Sequence, residues 1–397
     1  MESNSHSLFV EINNYEFTFI VTKNFEDNGF KLIYKKSLPL EGISKNQISD
    51  SERLKEIFKK NIYLIEQKLN FVFKEVILIL DNFNYSLINF AGYRKLNGSQ
   101  LVKENITYIL NSLKSKISVV EDDKKVLHIF NSKYFLDKKE VENLPIGLFG
   151  DFYTHELSFF LIKNNDYLNL KNIFNKCNLR LKKVISKNFI SGAYLIKENS
   201  NLNTLFRIEI DNISSKIIFF ENSSLKFVQD FKFGLDIIIN DISKIVGLKK
   251  QIIMDILTKF DFNSSNLNNE LLEKEFFSES NFRKIKKQLI IEIANARIEE
   301  ILDIIIFNNI NLTSFLKKEI PIFLKIRDET NKSFFKNSFK SFFTNKKFEL
   351  HFIDHENSER IYEYANEIVQ YGWKKEAVPI VQEKKSIIAK IFEFFSS

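Results

Sequence analysis

Ser7-Leu-Phe-Val-Glu-Ile12, Asn13-Asn14 and Tyr15-Glu-Phe-Thr-Phe-Ile-Val21 read as a strand, a tight turn and a second strand. β-branched and aromatic residues fill both runs, and paired asparagines suit a hairpin turn. A related unit returns at Leu205 to Phe220, where Asp211-Asn-Ile-Ser-Ser215 separates two alternating runs. Two such units in one chain predict duplicated α/β halves. Around the first unit, Phe30 to Tyr34 reads as a third strand. Ser51 to Leu69 reads as a helix with Leu54, Ile57, Phe58, Ile62 and Ile65 on one side and Ser49 or Ser51 as its N-cap. Glu75 to Leu80 is almost wholly apolar, as in a strand covered on both faces.

The texture changes near Asn82. A strand (Tyr85 to Phe90), a helix (Ser99 to Lys116), a strand (Lys125 to Phe130), a Pro/Gly loop (Leu144 to Gly150) and a strand (Glu156 to Lys163) read as a small α+β insertion. A helix then covers Tyr167 to Cys177. Beyond the second unit, Ile237 to Val246, Lys250 to Lys259 and Glu279 to Phe307 carry helical patterns. Pro321 to Ile326 and Phe348 to Phe352 read as strands, and Glu359 to Val369 as a last helix.

The chain has 397 residues, 44% of them hydrophobic, which is enough for more than one packed domain. One cysteine, Cys177, excludes an internal disulfide framework and fits a reducing cytoplasm. The start, Met1-Glu-Ser-Asn-Ser-His6, lacks the features of a signal peptide. The net charge of +7 does not imply nucleic acid: the chain is rich in Lys, Asn, Ile and Phe throughout, and its lysines form no single stripe interleaved with aromatics. The five histidines, His6, His128, His155, His351 and His355, show no metal-ligand spacing, so no metal site is expected.

The C-terminus carries an amphipathic pattern. Ile387, Ile388, Ile391, Phe392, Phe394 and Phe395 share one helical face, while Lys384, Lys385 and Lys390 fall mostly on the other. The segment is too short to span a bilayer. It suits a helix in the membrane interface, lysines toward anionic headgroups, after a linker over 374–385 that contains Pro379. The alternative is a terminal helix packed on the core.

Three stretches resemble the bacterial cell-division protein FtsA family of the actin-like ATPase superfamily. They are Val126-Leu-His-Ile-Phe130 with Tyr134 and Leu144-Pro-Ile-Gly-Leu-Phe-Gly150; Gly234-Leu-Asp-Ile-Ile-Ile-Asn-Asp-Ile242; and Ala296-Arg-Ile-Glu-Glu-Ile301. With the terminal stripe, their order carries the resemblance from about residue 6 to the end. It implies an α/β fold of two actin-like (RNase H-like) halves with an inserted small α+β subdomain of the SHS2 type and a C-terminal amphipathic helix. The implied segments are 1–82, 165–196 and 346–373 for the first subdomain, 83–164 for the insertion, 197–235 and 301–345 for the large subdomain of the second half, and 236–300 for its small one. The linker (374–385) and the helix (386–397) follow.

The resemblance further implies a scaffold at the division site on the cytoplasmic side of the inner membrane. It would polymerise with itself, bind anionic lipids and the tubulin-like protein FtsZ, and meet later division proteins through the insertion. Arg297 is the position carried over for the FtsZ tail, since a guanidinium fork binds both oxygens of a carboxylate. The alternative is a local pair with Glu300 on the same helix. A PilM-like pilus platform protein, an actin-like pseudo-ATPase module with another partner, and a small-molecule kinase of the same superfamily are the competing readings.

The chain departs from the family where phosphates bind. Actin-like ATPases cradle phosphate on glycine turns. Here Glu11-Ile-Asn-Asn-Tyr15 and Glu209-Ile-Asp-Asn-Ile-Ser214 stand in those places without glycine, and Lys325-Ile-Arg327 replaces the adenosine-side glycines. A degenerate nucleotide site would consist of Glu11, Asn13, Asn14, Glu209, Asn212 and Ser214. The acids could help hold Mg²⁺, and the asparagines can enter left-handed dihedrals. ATP with Mg²⁺ is a doubtful cofactor, and no catalytic constellation is visible. The expectation is a non-enzymatic scaffold that at most binds ATP weakly.

Overall fold

The computed structural model describes residues 6–13, 15–25, 29–44, 47–81, 83–259, 270–277, 281–354 and 356–377. The chain divides into two compact units, Met1–Lys187 with Ala365–Ser397, and Asn188–Tyr364.

In the first unit, β1 (His6–Ile12), β2 (Glu16–Phe25) and β3 (Gly29–Pro39) form an antiparallel meander. A minor pair follows, β4 (Ile43–Ser44) and β5 (Gln47–Ile48). Helix α1 (Ser51–Leu69) then returns the chain to β6 (Glu75–Leu80), which lies parallel to β1. The α1 cap is Asp50, not either neighbouring serine: its carboxylate accepts from the Arg53 N–H at 2.9 Å, filling one of the unpaired donors of the first turn. Leu54, Phe58, Ile62 and Ile65 form the buried face of α1, and Phe58 stacks on Phe174 at 5.1 Å.

A second sheet follows, built from β7 (Tyr85–Lys95), β8 (Lys124–Leu136), β9 (Lys139–Val141) and β10 (Phe152–Lys163) in the order β7-β10-β8-β9. Helix α2 (Lys103–Val120) covers one face, burying Ile106, Ile109, Leu113 and Ile117 with Tyr153, Leu157 and Phe159. Gly92 is required there, because a Cβ would press into the Ile109 and Leu113 side chains. Helix α3 (Asn164–Lys176) then leads to β11 (Arg180–Ser186), which pairs parallel with β6 and completes the order β11-β6-β1-β2-β3.

The second unit opens with most of α4 (Lys187–Glu198) and repeats the same topology. β12 (Leu205–Ile210), β13 (Ser215–Glu221) and β14 (Ser224–Phe231) form the meander. Helices α5 (Asp236–Val246), α6 (Lys250–Thr258) and α7 (Lys287–Leu302) lie between it and β15 (Ile322–Ile326), which is parallel to β12. After α8 (Lys332–Lys346), β16 (Leu350–Phe352) adds parallel to β15, giving β14-β13-β12-β15-β16. The long pattern expected over 279–307 is α7 and a π-turn at Asp303–Phe307.

Two expected boundaries move. The segment 346–373 was expected in the first half, but Ile322 registers with Leu350, so β16 belongs to the second sheet and the return begins at Ala365. Residues 188–196 join the second unit, where Gly192 lies against the Phe220 ring. Helix α9 (Ser358–Tyr371) crosses the boundary at Ala365. The expected helix at 386–397 falls outside the described residues.

Candidate functional site

The strand-turn-strand units place Glu11 in β1 and Glu209 in β12, each near the end that feeds the turn. In the first turn the Asn13 carboxamide oxygen accepts from the Tyr15 N–H at 2.8 Å and the Glu16 N–H at 2.9 Å. Asn13 is therefore the internal cap of its own turn, an Asx arrangement. Glu11 is buried, and its Oε2 lies 2.8 Å from Lys187 Nζ. Asn14 lies outside the described residues.

In the second turn the Asp211 N–H donates to the Ser214 carbonyl at 2.8 Å, and Asp211 Oδ1 accepts from the Asn212 N–H at 2.7 Å. Neither Asn13 nor Asn212 is among the residues with positive φ. The turn carbonyls are used as well: Asp211 O accepts from the Leu235 N–H at 3.0 Å and Asn212 O from the Asp236 N–H at 2.9 Å. These donors open α5, so the helix start is capped by the turn and not free for an anion. Gly234 allows the approach, since a Cβ at that position would overlap the Asp211 carbonyl oxygen.

Glu209 sits in a buried ion network that the sequence analysis did not identify. Arg207, two residues earlier on the same strand face, is 1% exposed. Its Nε and Nη2 donate to Glu209 Oε1 at 2.8 and 2.6 Å, and its Nη1 donates to Glu356 Oε1 at 2.8 Å. Arg327 Nη2 donates to Glu209 Oε2 at 2.5 Å, and Lys325 Nζ pairs with Glu356 Oε2. Lys325 and Arg327 belong to the stretch that the resemblance sets in place of the adenosine-side turn, and Glu209 registers directly beside Lys325 across β12 and β15.

The electrostatics follow from this packing. Burial opposes ionisation of Glu209, but Arg207 and Arg327, with Lys216 and Lys325, hold its carboxyl well below the usual range. Burial likewise opposes Glu356, yet Arg207 and Lys325 bring it down to about 2. Arg207 is raised: the two carboxylates outweigh the burial that disfavours its charge.

Both acids proposed to hold Mg²⁺ thus already carry side-chain cations. A hydrated Mg²⁺ needs free carboxylate oxygens, and a phosphate needs close, unpaired backbone N–H groups. The cations on Glu11 and Glu209 and the absence of glycine from both turns fit these requirements poorly. Among the described residues no group of three or more His, Cys, Asp or Glu could hold a metal ion.

Arg297 lies on α7, about a third exposed. Its Nη2 pairs with Asp241 of α5, and its Nη1 lies 2.6 Å from Glu300 Oε2. The local pair with Glu300 is therefore present, and a partner's carboxylate would have to exchange with it. The membrane residues named above, Lys384 to Phe395, lie outside the described residues.

No family model matches the chain. It is 24% identical over 317 residues to cell division protein FtsA of Buchnera aphidicola subsp. Baizongia pistaciae, covering 78% of this chain and 73% of the relative. It is 22% identical over 235 residues to cell division protein FtsA of Buchnera aphidicola subsp. Acyrthosiphon pisum, covering 59% of this chain and 56% of that relative. Among solved structures, the PilM-PilN type IV pilus biogenesis complex matches with a TM-score of 0.51 at 9% identity, over 93% of this chain and 99% of that one.

The repeated β14-β13-β12-β15-β16 and β3-β2-β1-β6-β11 sheets, with that structural match, show an actin-like fold. Within that fold, the sequence is similar to two FtsA proteins.

Proposed function

We propose that the protein is a cell-division scaffold that works without nucleotide turnover. It holds FtsZ filaments at the cytoplasmic face of the inner membrane, at the division site, and assembles with itself. Residues 386–397 anchor it through the apolar stripe from Ile387 to Phe395. The observation that carries the scaffold reading is the FtsA likeness over 317 residues of an actin-like chain. The absence of turnover is inferred from the side-chain cations on Glu11 and Glu209.

No helix among the described residues is long and apolar enough to cross a membrane. The anchor is assigned to the terminal stripe on the spacing of its six apolar residues in the sequence. Each large side chain buried in the interface contributes about 1.5–3 kcal/mol before ordering costs. Six of them give a reversible attachment for one molecule, and filaments make it firm by placing many anchors on one surface.

The structural likeness to the PilM-PilN complex supports a second reading, a platform that holds a partner's peptide in a pilus machine. Co-sedimentation on anionic vesicles separates the two. The full chain should bring FtsZ down with the vesicles, and Phe392→Asp should abolish this by placing a charge on the apolar face. FtsZ left in solution while the full chain pellets would sink the division reading. Equal pelleting of the variant would sink the anchor.

A further inference from the structure

The last described residues form a strap. After α9, Lys375 to Ala377 run along the edge of β8 that β9 leaves open, for β9 pairs only with Tyr134 to Leu136. Phe130 and Glu376 form an antiparallel bridge. The Asn131 N–H donates to the Lys375 carbonyl, and the Ala377 N–H to the Ile129 carbonyl, both at 2.7 Å. Extended backbone sends successive side chains to opposite faces. Ala377 enters the core under the second sheet, and Lys375 Nζ lies over the Tyr134 ring at 5.2 Å.

Glu376 turns the other way, and its side chain is 9% exposed. Its Oε1 lies 2.8 Å from His128 Nδ1 and its Oε2 3.1 Å from Lys183 Nζ. The Ser186 N–H donates to His128 Nε2 at 3.3 Å. The second ring nitrogen is thus the acceptor, and the network assigns the proton to Nδ1, facing Glu376. His128 belongs to β8, while Lys183 and Ser186 belong to β11, the edge strand of the first unit's main sheet. Burial opposes ionisation of Glu376, but His128 and Lys183 hold its pKa down to about 2. One carboxylate therefore ties the chain's C-terminal strap to β8 of the second sheet and to β11, the edge strand of the first.

We propose that Glu376 is a latch that fixes the root of the C-terminal segment on the β8 edge. A pull on that segment then loads β8 and β11 before it reaches α9. A strap held only by apolar packing would rest on Trp373 and Ala377 and would be indifferent to residue 376. The mechanical consequence rests on the membrane-anchor reading, but the latch does not.

The test uses the full chain in solution without vesicles. Hydrogen exchange is read on peptides covering 126–131 and 372–377, and tryptic cleavage after Lys374 and Lys375. Removing one partner of a buried ion pair exposes the strap, so Glu376→Ala should speed exchange and cleavage by about 10- to 100-fold. Glu376→Gln, which keeps volume and hydrogen bonding, should restore part of the protection. Lys183→Met, outside the strap, should loosen the same peptides to a smaller extent.

Exchange over 358–371 should stay unchanged in all three. Unchanged strap protection in Glu376→Ala overturns the latch. So does an equal rise over 358–371, since that is general loosening. Co-sedimentation with anionic vesicles separates the two readings. If Glu376→Ala pellets like the parent while its strap is open, the latch stands as a local device. If neither protein pellets but the strap opens, the anchor fails and the latch stands.

Discussion

Replacing Arg207 with methionine keeps a long apolar stem in the core of the second sheet and deletes the charge on which two buried carboxylates depend. In the parent, Arg207 makes contacts of 2.6 to 2.8 Å with Glu209 and Glu356 and is 1% exposed. Breaking a buried pair from one side costs about 3–5 kcal/mol, because the remaining charge stays desolvated. Glu209 keeps Arg327, and Glu356 keeps Lys325. The retained cations place the expected loss at the low end, about 3 kcal/mol at pH 7.

The pH profile gives an independent check. Glu356 has a folded pKa of about 2 against an ordinary 4.5. Its contribution is present above about 4.5 and is lost as pH falls toward about 2. In Arg207→Met that acid-dependent part should shrink, because its main cause is gone. The assay is urea unfolding followed by circular dichroism, with exchange on β12, β13 and β15 to locate the loss. Adding Glu209→Gln and Glu356→Gln should recover part of it, since the buried carboxylates are then neutral and the cations that lose them, Lys325 and Arg327, are 21% and 42% exposed and reach water. A loss below about 1 kcal/mol for Arg207→Met, or no recovery in the triple variant, would refute the argument.

Two further outcomes follow from single sites. His155 is fully buried in the second sheet, and burial, then Lys375, lowers its pKa to about 4 from 6.5. The folded state binds its proton less readily, so stability is full above about 6.5 and falls as pH drops toward 4. The loss amounts to about 3 kcal/mol. His155→Leu should flatten that slope in exchange measurements on β10, and identical slopes would exclude His155 as the source. Gly234→Ala forces a methyl group against the Asp211 carbonyl and breaks the bonds that cap α5. A shift of the second unit's urea midpoint worth about 1–3 kcal/mol or more is expected. An unchanged midpoint would show that the turn can move aside.

The elements with clear periodicity were legible in the sequence. The first meander, the β12–β13 hairpin, α1, β6, α5, α6 and β15 follow from runs whose period of two or about 3.6 matches the face they bury. Helices α4 and α8 and strands β9, β11 and β14 were among those missed. Lys332 to Lys346 is rich in Phe, Ser and Asn, residues of modest helix propensity, and nothing local commits it to a helix. It becomes one because Phe334, Phe335, Phe339 and Phe343 pack together into the second unit's core. The α1 cap was displaced by one residue because serine and aspartate serve the same purpose, and only the backbone decides which carboxyl or hydroxyl reaches an N–H.

The candidate site divides in the same way. The absence of glycine from these turns is a property of the sequence, and the expectation of a degenerate phosphate site rests on it. Where the replacing side chains go is not. Arg207 and Glu209 are two apart and so share a strand face, but only the neighbouring strand brings Lys325 and Arg327 to them, and only the later chain brings Glu356.

By itself, then, the sequence determined the duplicated strand-turn-strand plan, the insertion within the first half and the absence of glycine from the two turns, because these are set by residues adjacent in the chain. The tertiary structure decided which charges meet. Glu11 with Lys187, Glu209 with Arg207, and Glu376 with His128 and Lys183 are buried pairings. A carboxylate removed from water must find a cation wherever the fold supplies one, at any distance along the chain.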